Sequence, residues 1–409
     1  MDKRLEEYAR LAVRMGANLQ PGDTMLLRSP VDCAQFARLI VKEAYDAGAR
    51  EVFVNWNDDA IGRMKYLYAA DDVFDKFNEW EKIQYDTLTK GKFVLLTIYA
   101  EDPEALKGVD PDRIKRYQMV RQSALKDFYD KMMASEYSWN LVSVPVPAWA
   151  KKVFPEMSEE DAMEALWNAI YETLRIDGSG NAVARWEEHT KRLRDKCDKL
   201  NALKLKTLHY ETELGTDFTV DLPEGAIWCG GADKNKQGTY FIANMPTEEV
   251  FTAPAKYSGN GHIVSSRPLC LNGTLIQGLK FTVENGKIVK AEADEGLDTL
   301  NKVLEVDEGS LYFGELALVD YDSPISNQKL VYYNTLFDEN ASCHIAFGAA
   351  YPDCLEGSDG LTSEELEARG LNDSFNHEDF MVGTAKTQIT GITRDGQTVT
   401  IFKDGNFAL

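Results

Sequence analysis

A histidine and an aspartate stand two residues apart near the C-terminal end of the sequence. They are His377 and Asp379, with Glu378 between them, in NHEDFMVGTAKTQITGI. If this segment is a strand, His377 and Asp379 share one face and Glu378 lies on the other. An imidazole and a carboxylate on one face are a ready pair of metal ligands. The alternative is that both are ordinary polar residues that form hydrogen bonds where a strand begins.

Two glutamates lie where an ionised carboxylate is costly to bury. Glu315 interrupts the apolar run LYFGELALVDY, and Glu249 precedes Val250 and Phe251 in NMPTEEVFTAP. Burial of such a carboxylate costs several kcal/mol unless a cation or another partner compensates. A metal ion is one such partner, so each glutamate is either a ligand or a residue with a structural partner.

His344 lies in the apolar run CHIAFGA, where a hydrogen-bonded core histidine and a metal ligand are both open interpretations. Tyr351 follows seven residues later, a spacing that places both residues on one face of a helix but not of a strand. Gly348 and Pro352 favour a strand that turns into a loop. Cys343 adjoins His344, but neighbours on a strand face opposite ways, which favours a buried structural thiol over a nucleophile.

The candidate ligands together supply three carboxylates and two imidazoles: Glu249, Glu315, His344, His377 and Asp379. Such a set suits two divalent ions about 3.5 to 4 Å apart with a carboxylate that bridges them. Spacing alone does not bring together ligands that are this far apart in the chain.

The elements that must position these residues fall into two halves. Up to about residue 200, short apolar runs typical of buried strands alternate with helical periodicities. The runs are TMLLRSP (24–30), EVFVNW (51–56), FVLLTIYA (93–100) and NLVSVPVP (140–147), and the helical segments cover 33–49, 110 to about 135, 158–176 and 182–203. This alternation predicts a mostly parallel sheet covered on both faces.

From about residue 204 the pattern changes to short strands separated by turn signals. Asn285-Gly286 and Asp395-Gly396 each separate two alternating segments, which is the strongest short hairpin signal. The sequence therefore predicts an α/β protein with an N-terminal α/β domain over 1–203. A C-terminal α+β domain over 204–409, rich in antiparallel strands, would carry the metal site.

Composition narrows the classes of function. No apolar run approaches the roughly 20 residues needed to cross a bilayer, and a formal net charge of -22 disfavours nucleic acid and anionic membranes as partners. Six cysteines without a CxxC pair predict free thiols in a reducing cytoplasm. The phosphate-loop, GxSxG and HExxH motifs are absent, and GSGNAV (178–183) follows a predicted helix where a dinucleotide fingerprint requires a strand.

Four segments resemble, in order and wording, the thermophilic aminopeptidase family of metallopeptidases, the aminopeptidase T and aminopeptidase S group. They are NMPTEEVFTAP, FGELALV, YYNTLFDENASCHIAFGAAY and NHEDFMVG, and LPEGAIWCGG (222–231) and ARWEEHTKRL (184–193) are similar to it too. The resemblance implies a cytoplasmic metalloaminopeptidase with two divalent ions per chain, either zinc, cobalt, manganese or magnesium. The family's ligands fall on Glu249, Glu315, His344, His377 and Asp379, and its active-site tyrosine falls on Tyr351.

The resemblance also implies a mechanism and a partner. The paired ions would bind the terminal amine and scissile carbonyl of a short peptide and activate a water, with Glu315 or Glu249 as proton acceptor. Tyr351 would donate a hydrogen bond to the developing oxyanion. A homodimer formed through the C-terminal domains is implied, and the acidic stretch 354–374 is longer than usual for the family. The rival interpretations are a two-metal hydrolase of a non-peptide amide or ester and a non-enzymatic metal-binding dimer.

Overall fold

Strands and helices alternate through the first half of the chain, as the apolar runs predict. The strands are β1 (Thr24–Pro30), β2 (Glu51–Asn57), β3 (Phe93–Ile98) and β4 (Ser138–Val142). The helices are α1 (Lys3–Leu11), α2 (Ala34–Asp46), α3 (Asp59–Tyr68), α4 (Glu79–Leu88), α5 (Pro111–Ala124), α6 (Lys126–Met133), α7 (Pro147–Val153), α8 (Glu159–Thr173) and α9 (Ala182–Leu203). A π-helical turn at Ala12–Gly16 follows α1, and 3₁₀ turns occupy Val31–Cys33 and Asp71–Asp75.

The first four strands form one sheet, in the order β2-β1-β3-β4, and every pairing in it is parallel. The four predicted strands are all present, but the last two end before their predicted limits, at Ile98 and Val142. Pro145 and Pro147 lie just beyond β4, and a proline lacks the N–H that a sheet ladder needs. The apolar run therefore continues further than the strand does.

Helix ends follow local signals in the sequence. α8 begins after Ser158, whose side chain accepts a hydrogen bond from a backbone N–H of the first turn. α2 ends before Gly48, which has φ 97° and so adopts the left-handed conformation that glycine tolerates. The predicted helix from 110 to about 135 is two helices, α5 and α6, which meet at Leu125.

Short strands predominate beyond Leu203. They are β5 (Leu205–Glu211), β6 (Asp217–Asp221), β7 (Cys229–Gly230), β8 (Asp233–Lys234), β9 (Tyr240–Phe241), β10 (Val250–Thr252), β11 (Asn260–Val264), β12 (Leu269–Leu271), β13 (Thr274–Ile276), β14 (Lys280–Glu284), β15 (Lys287–Glu292), β16 (Phe313–Leu318), β17 (His344–Gly348), β18 (His377–Met381), β19 (Gln388–Thr393), β20 (Thr398–Lys403) and β21 (Asn406–Phe407). The helices are α10 (Leu297–Leu304), α11 (Pro324–Asn327), α12 (Thr335–Asp338) and α13 (Ser363–Ala368), with 3₁₀ turns at Gly309–Leu311, Glu339–Ala341 and Pro352–Cys354.

The computed structural model describes residues 2–100, 102, 104–271 and 274–409. The chain forms two units, one of residues up to 188 with 232–246, the other of 189–231 with 247–409. Within the described residues, no helix has both the length and the apolar character needed to span a bilayer.

Two large antiparallel sheets and the two-stranded pair β12–β13 build the described part of the second unit. One has eight strands in the order β15-β14-β11-β6-β5-β19-β20-β21, and the other has five in the order β18-β17-β16-β10-β7. Both predicted hairpins are present, β14–β15 and β19–β20. At the first, Asn285 and Gly286 have φ of 50° and 80°, the positive values that a two-residue hairpin turn requires. The predicted fold class, a parallel α/β region followed by an antiparallel one, is confirmed.

The five-stranded sheet has one apolar face and one polar face. Apolar side chains from its strands join those of the eight-stranded sheet in one buried core; they include Leu316, Leu318, Ile345, Phe347 and Phe380. The ring of Phe281 in β14 lies 5.2 Å from Phe380 and 6.0 Å from Phe347, measured between centroids. Because strand side chains alternate, the residues between these apolar ones point to the opposite face, where the candidate ligands lie.

A bulge in β16 separates Phe313 from Glu315. Their partners on β17 are consecutive, since Phe313 pairs with Phe347 and Glu315 with Ala346, so Gly314 is the extra residue. In a regular strand, Phe313 and Glu315 would share one face. Because of the extra residue, Phe313 packs in the core and Glu315 points to the other face.

Candidate metal centre

The structure brings all five predicted ligands together on the polar face of the five-stranded sheet. Glu249 directly precedes β10, and the others lie on β16, β17 and β18, which are neighbours in the sheet. Ala346 of β17 pairs with Glu315 on one side and with Asp379 on the other. The small methyl group of Ala346 leaves room between the two carboxylates. The strand register therefore places Glu315 and Asp379 on either side of an open space.

The ligand atoms form two groups that share one residue. One group is Glu249, Glu315 and His344, the other is Glu315, His377 and Asp379, and within each group the atoms lie within 4.8 Å of one another. Oε1 of Glu315 lies 3.6 Å from Nε2 of His344, and Oε2 lies 3.4 Å from Nε2 of His377. Glu315 therefore offers one oxygen to each group.

The remaining contacts complete each group. Oε2 of Glu249 lies 3.0 Å from Nε2 of His344, and Oδ2 of Asp379 lies 3.6 Å from Nε2 of His377. Oδ1 of Asp379 lies 4.0 Å from Nε2 of His344. The prediction that His377 and Asp379 share a face is confirmed, and Glu378 lies on the opposite face, where burial raises its pKa to about 7.

Backbone carbonyls orient both imidazoles. Nδ1 of His377 lies 2.8 Å from the carbonyl oxygen of Ala349, and Nδ1 of His344 lies 3.2 Å from that of Ser342. Each contact leaves Nε2 directed toward the carboxylates. Histidines that bind metals usually donate the other ring N–H in this way, which fixes the tautomer and the ring orientation.

The side chains of the centre perturb one another strongly. Burial opposes ionisation of Glu315, but hydrogen bonds from His344 and His377 outweigh it and lower its pKa to about 2. Burial opposes the charge on His377 as well, yet the carboxylates of Asp379 and Glu315 raise its pKa to about 10. Burial raises the pKa of both Glu249 and Asp379. A positive charge among these carboxylates is therefore strongly favoured.

One buried oxygen supports a metal in particular. Oδ1 of Asp379 is buried and accepts no hydrogen bond from any described residue. An unsatisfied buried carboxylate oxygen is expensive, and a divalent ion satisfies it directly. The donor set of carboxylates and imidazoles is also one that divalent metals accept, so the residues present fit a metal centre.

Tyr351 lies beside the second group. It follows β17 in a loop that leads into the Pro352–Cys354 turn, as the glycine and proline predict. Its ring lies 5.0 Å from that of His377 and 5.7 Å from that of Phe251. Burial, followed by the carboxylates of Glu315 and Asp379, raises the pKa of Tyr351 well above its usual value, so the phenol keeps its proton.

Sequence reasoning missed Glu339. It is buried in the 3₁₀ turn after α12, and its pKa is raised well above the usual range by burial and by the carboxylates of Asp379 and Glu249. A third buried glutamate thus interacts electrostatically with the candidate ligands. The signal in the sequence was weak, because DENAS is polar and shows no periodicity.

Two other predicted features have structural explanations. Cys343 is buried, its sulfur contacts Val319, and burial raises its pKa to about 12, which favours the structural thiol over the nucleophile. The acidic stretch 354–374 contains α13, which begins with a capping box between Thr362 and Glu365. Lys256 anchors α13 through an ion pair with Glu367.

Comparisons with known proteins identify the family of this chain. A family model described as thermophilic metalloprotease (M29) matches residues 1–407. Aminopeptidase 2 of Geobacillus stearothermophilus is 42% identical over 407 residues, which cover 100% of this chain and 98% of the relative. Aminopeptidase T of Thermus thermophilus is 36% identical and covers 100% of this chain and 99% of its own. The solved structure of wild-type AmpT from the same organism matches with a TM-score of 0.91 at 36% identity, covering 100% and 99% of the two chains. The chain belongs to the M29 family of thermophilic metalloproteases, as its sequence motifs predict.

Proposed function

We propose that this protein is an aminopeptidase that releases N-terminal residues from short peptides at a centre of two divalent ions. Glu315 carries the proposal, because its two carboxylate oxygens face two separate groups of ligands. A carboxylate shared in this way is typical of two-metal hydrolases. Relatives that are 36% to 42% identical over their whole length bear the name aminopeptidase, which supports the proposed reaction.

The ligands divide between the two ions as the two groups do. Glu249, Glu315 and His344 would hold one ion, and Glu315, His377 and Asp379 the other. Divalent ions supply a water of lowered pKa and polarise the scissile carbonyl. Carboxylates and imidazoles without a thiolate suit zinc, cobalt, manganese or magnesium.

The proton acceptor is one of two glutamates, and Glu249 is the better placed. Both oxygens of Glu315 face the ligand groups, whereas Oε1 of Glu249 faces Thr247, 3.5 Å away, and only Oε2 faces His344. Burial raises the pKa of Glu249 above its usual value, the direction that makes this carboxylate a stronger base. Glu249 therefore accepts the proton from the attacking water and passes it to the leaving amine.

Replacing Tyr351 with phenylalanine should lower kcat by about 10²- to 10³-fold, the usual effect of removing one hydrogen-bond donor from a developing oxyanion. The neutral phenol beside His377 is the donor in this proposal. Steady-state kinetics with a leucyl substrate and metal analysis of the variant would be compared with the wild type. Unchanged turnover, with the metal content intact, would contradict the assignment.

A panel of aminoacyl-p-nitroanilides and their N-acetylated analogues tests the reaction itself. We expect release of nitroaniline from the free amines and at least roughly 10²-fold lower kcat/KM for the blocked compounds, because the terminal amine would lose its place at the centre. Equal rates on both series would instead favour a two-metal hydrolase of non-peptide amides or esters.

We also propose a cytoplasmic homodimer. The family resemblance of the C-terminal half supports the dimer. The six cysteines all lie among the described residues and are free, which suits a reducing compartment. Light scattering of the purified protein would measure the oligomeric state, and a monomer at micromolar concentration would contradict the proposal.

A further inference from the structure

We propose that Asn340 is a positioning residue for the metal centre, because it holds in place the segment that carries Glu249 and also the buried carboxylate of Glu339. This proposal rests on the proposed two-metal function and adds to it a residue that contacts neither substrate nor ion. Asn340 lies in the 3₁₀ turn between α12 and β17 and is fully buried.

Hydrogen bonds to three described residues hold the amide of Asn340. Its Oδ1 accepts the backbone N–H of Glu248 at 2.8 Å. Its Nδ2 donates to Oε1 of Glu339 at 3.2 Å and to the carbonyl oxygen of Leu336 at 3.1 Å. A buried amide with both N–H donors and its oxygen engaged has one orientation, so it acts as a rigid link.

The first link reaches Glu249 through the backbone. Glu248 immediately precedes it, and Glu249 places Oε2 3.0 Å from His344. One residue earlier, the carbonyl oxygen of Thr247 lies 2.8 Å from Nε2 of His189. The segment before β10 is therefore held at two consecutive residues, and Asn340 holds the one next to the ligand.

The second link reaches Glu339 directly. Glu339 is buried, and its carboxylate interacts electrostatically with those of Asp379 and Glu249. A glutamate side chain has three rotatable bonds, and the contact at Oε1 restricts them, so the negative charge of Glu339 keeps one position. Residues that orient metal ligands typically contribute 10- to 100-fold to metal affinity.

Asn340→Ala should therefore weaken binding of one of the two ions by about 10- to 100-fold and leave the other less affected. Metal-free protein would be titrated with Co²⁺ and followed by calorimetry and by the visible absorption of bound Co²⁺, which responds to ligand geometry. We expect a changed absorption spectrum in the variant and partial recovery of kcat at high Co²⁺ concentration.

Asn201→Ala is the matched control. Asn201 accepts the N–H of Trp228 at 2.8 Å and donates to the carbonyl oxygen of the same residue at 3.0 Å, so it makes comparable hydrogen bonds to backbone away from the ligands. We expect it to lower the melting temperature without altering Co²⁺ affinity or spectrum. A purely structural role of Asn340 predicts the same behaviour for both variants.

Asn340→Asp separates the two links and serves if the alanine variant does not fold. Aspartate keeps an acceptor for the N–H of Glu248 but offers no donor to Glu339, and its charge repels that carboxylate. A changed Co²⁺ spectrum is expected again. Wild-type affinity and spectrum in whichever variants fold would overturn the positioning role while leaving the proposed function intact, whereas a wild type that binds no Co²⁺ would overturn both.

Discussion

Glu315→Gln will lower kcat/KM for release of an N-terminal residue by roughly 10³-fold or more. A glutamine amide has one oxygen where the carboxylate has two, so whichever way it turns, one ligand group faces an NH₂ donor. Two-metal catalysis is worth several kcal/mol, and each 1.36 kcal/mol corresponds to tenfold in rate. The measurement is kcat/KM on a leucyl p-nitroanilide together with the metal content of the purified variant, which we expect to fall below two ions per chain.

Glu378→Gln is the control for this prediction. Glu378 is also a partly buried glutamate of the same sheet, but it lies on β18 between two ligands and on the opposite face. Its substitution should leave the metal content unchanged and kcat/KM within a few fold of the wild type. If Glu315→Gln retained two ions and activity within tenfold, the shared carboxylate would not have the role proposed for it.

Removal of metal should abolish activity, and return of about two equivalents per chain should restore it. Dialysis against a chelator followed by stepwise addition of Zn²⁺, Co²⁺ or Mn²⁺ would measure both. In this proposal each ligand group holds one ion. A chain with a single ion would therefore have only half of the centre. Full activity after one equivalent, or in the metal-free protein, would contradict a two-ion mechanism.

Return of metal should also stabilise the folded protein. An ion that binds only the folded chain stabilises it by about 4.1 kcal/mol when its concentration is 1,000 times the dissociation constant. We therefore expect the melting temperature of the metal-free protein to rise as metal is returned. Glu315→Gln provides the comparison, since its melting temperature should respond much less to added metal.

The sequence predicts most of the local structure, and the five candidate ligands that it indicates do meet on one face of a sheet. Period-two alternation correctly places His377 and Asp379 on one face, and the helical periodicity over 182–203 matches α9. These features depend on neighbours in the chain, which sequence patterns record directly.

The convergence of the ligands could not be predicted from spacing. β16, β17 and β18 follow one another in the sequence and are neighbours in the sheet. β10 also pairs with β16, although five other strands separate the two in the sequence. Strand order between distant segments is set by packing in three dimensions. Glu339 was missed for a related reason, because the carboxylates that it interacts with, those of Asp379 and Glu249, are distant from it in the sequence.

The bulge in β16 gives Gly314 a consequence beyond its own strand. A methyl group on Gly314 would come within 2.1 Å of the carbonyl oxygen of Ala349, the same oxygen that orients His377. Even the methyl group of an alanine at position 314 would displace this oxygen, which orients the imidazole of His377 two strands away. This enzyme therefore tolerates fewer substitutions than its candidate ligands alone suggest. Gly314 has no side chain to take part in the chemistry, yet a substitution there would change the orientation of His377.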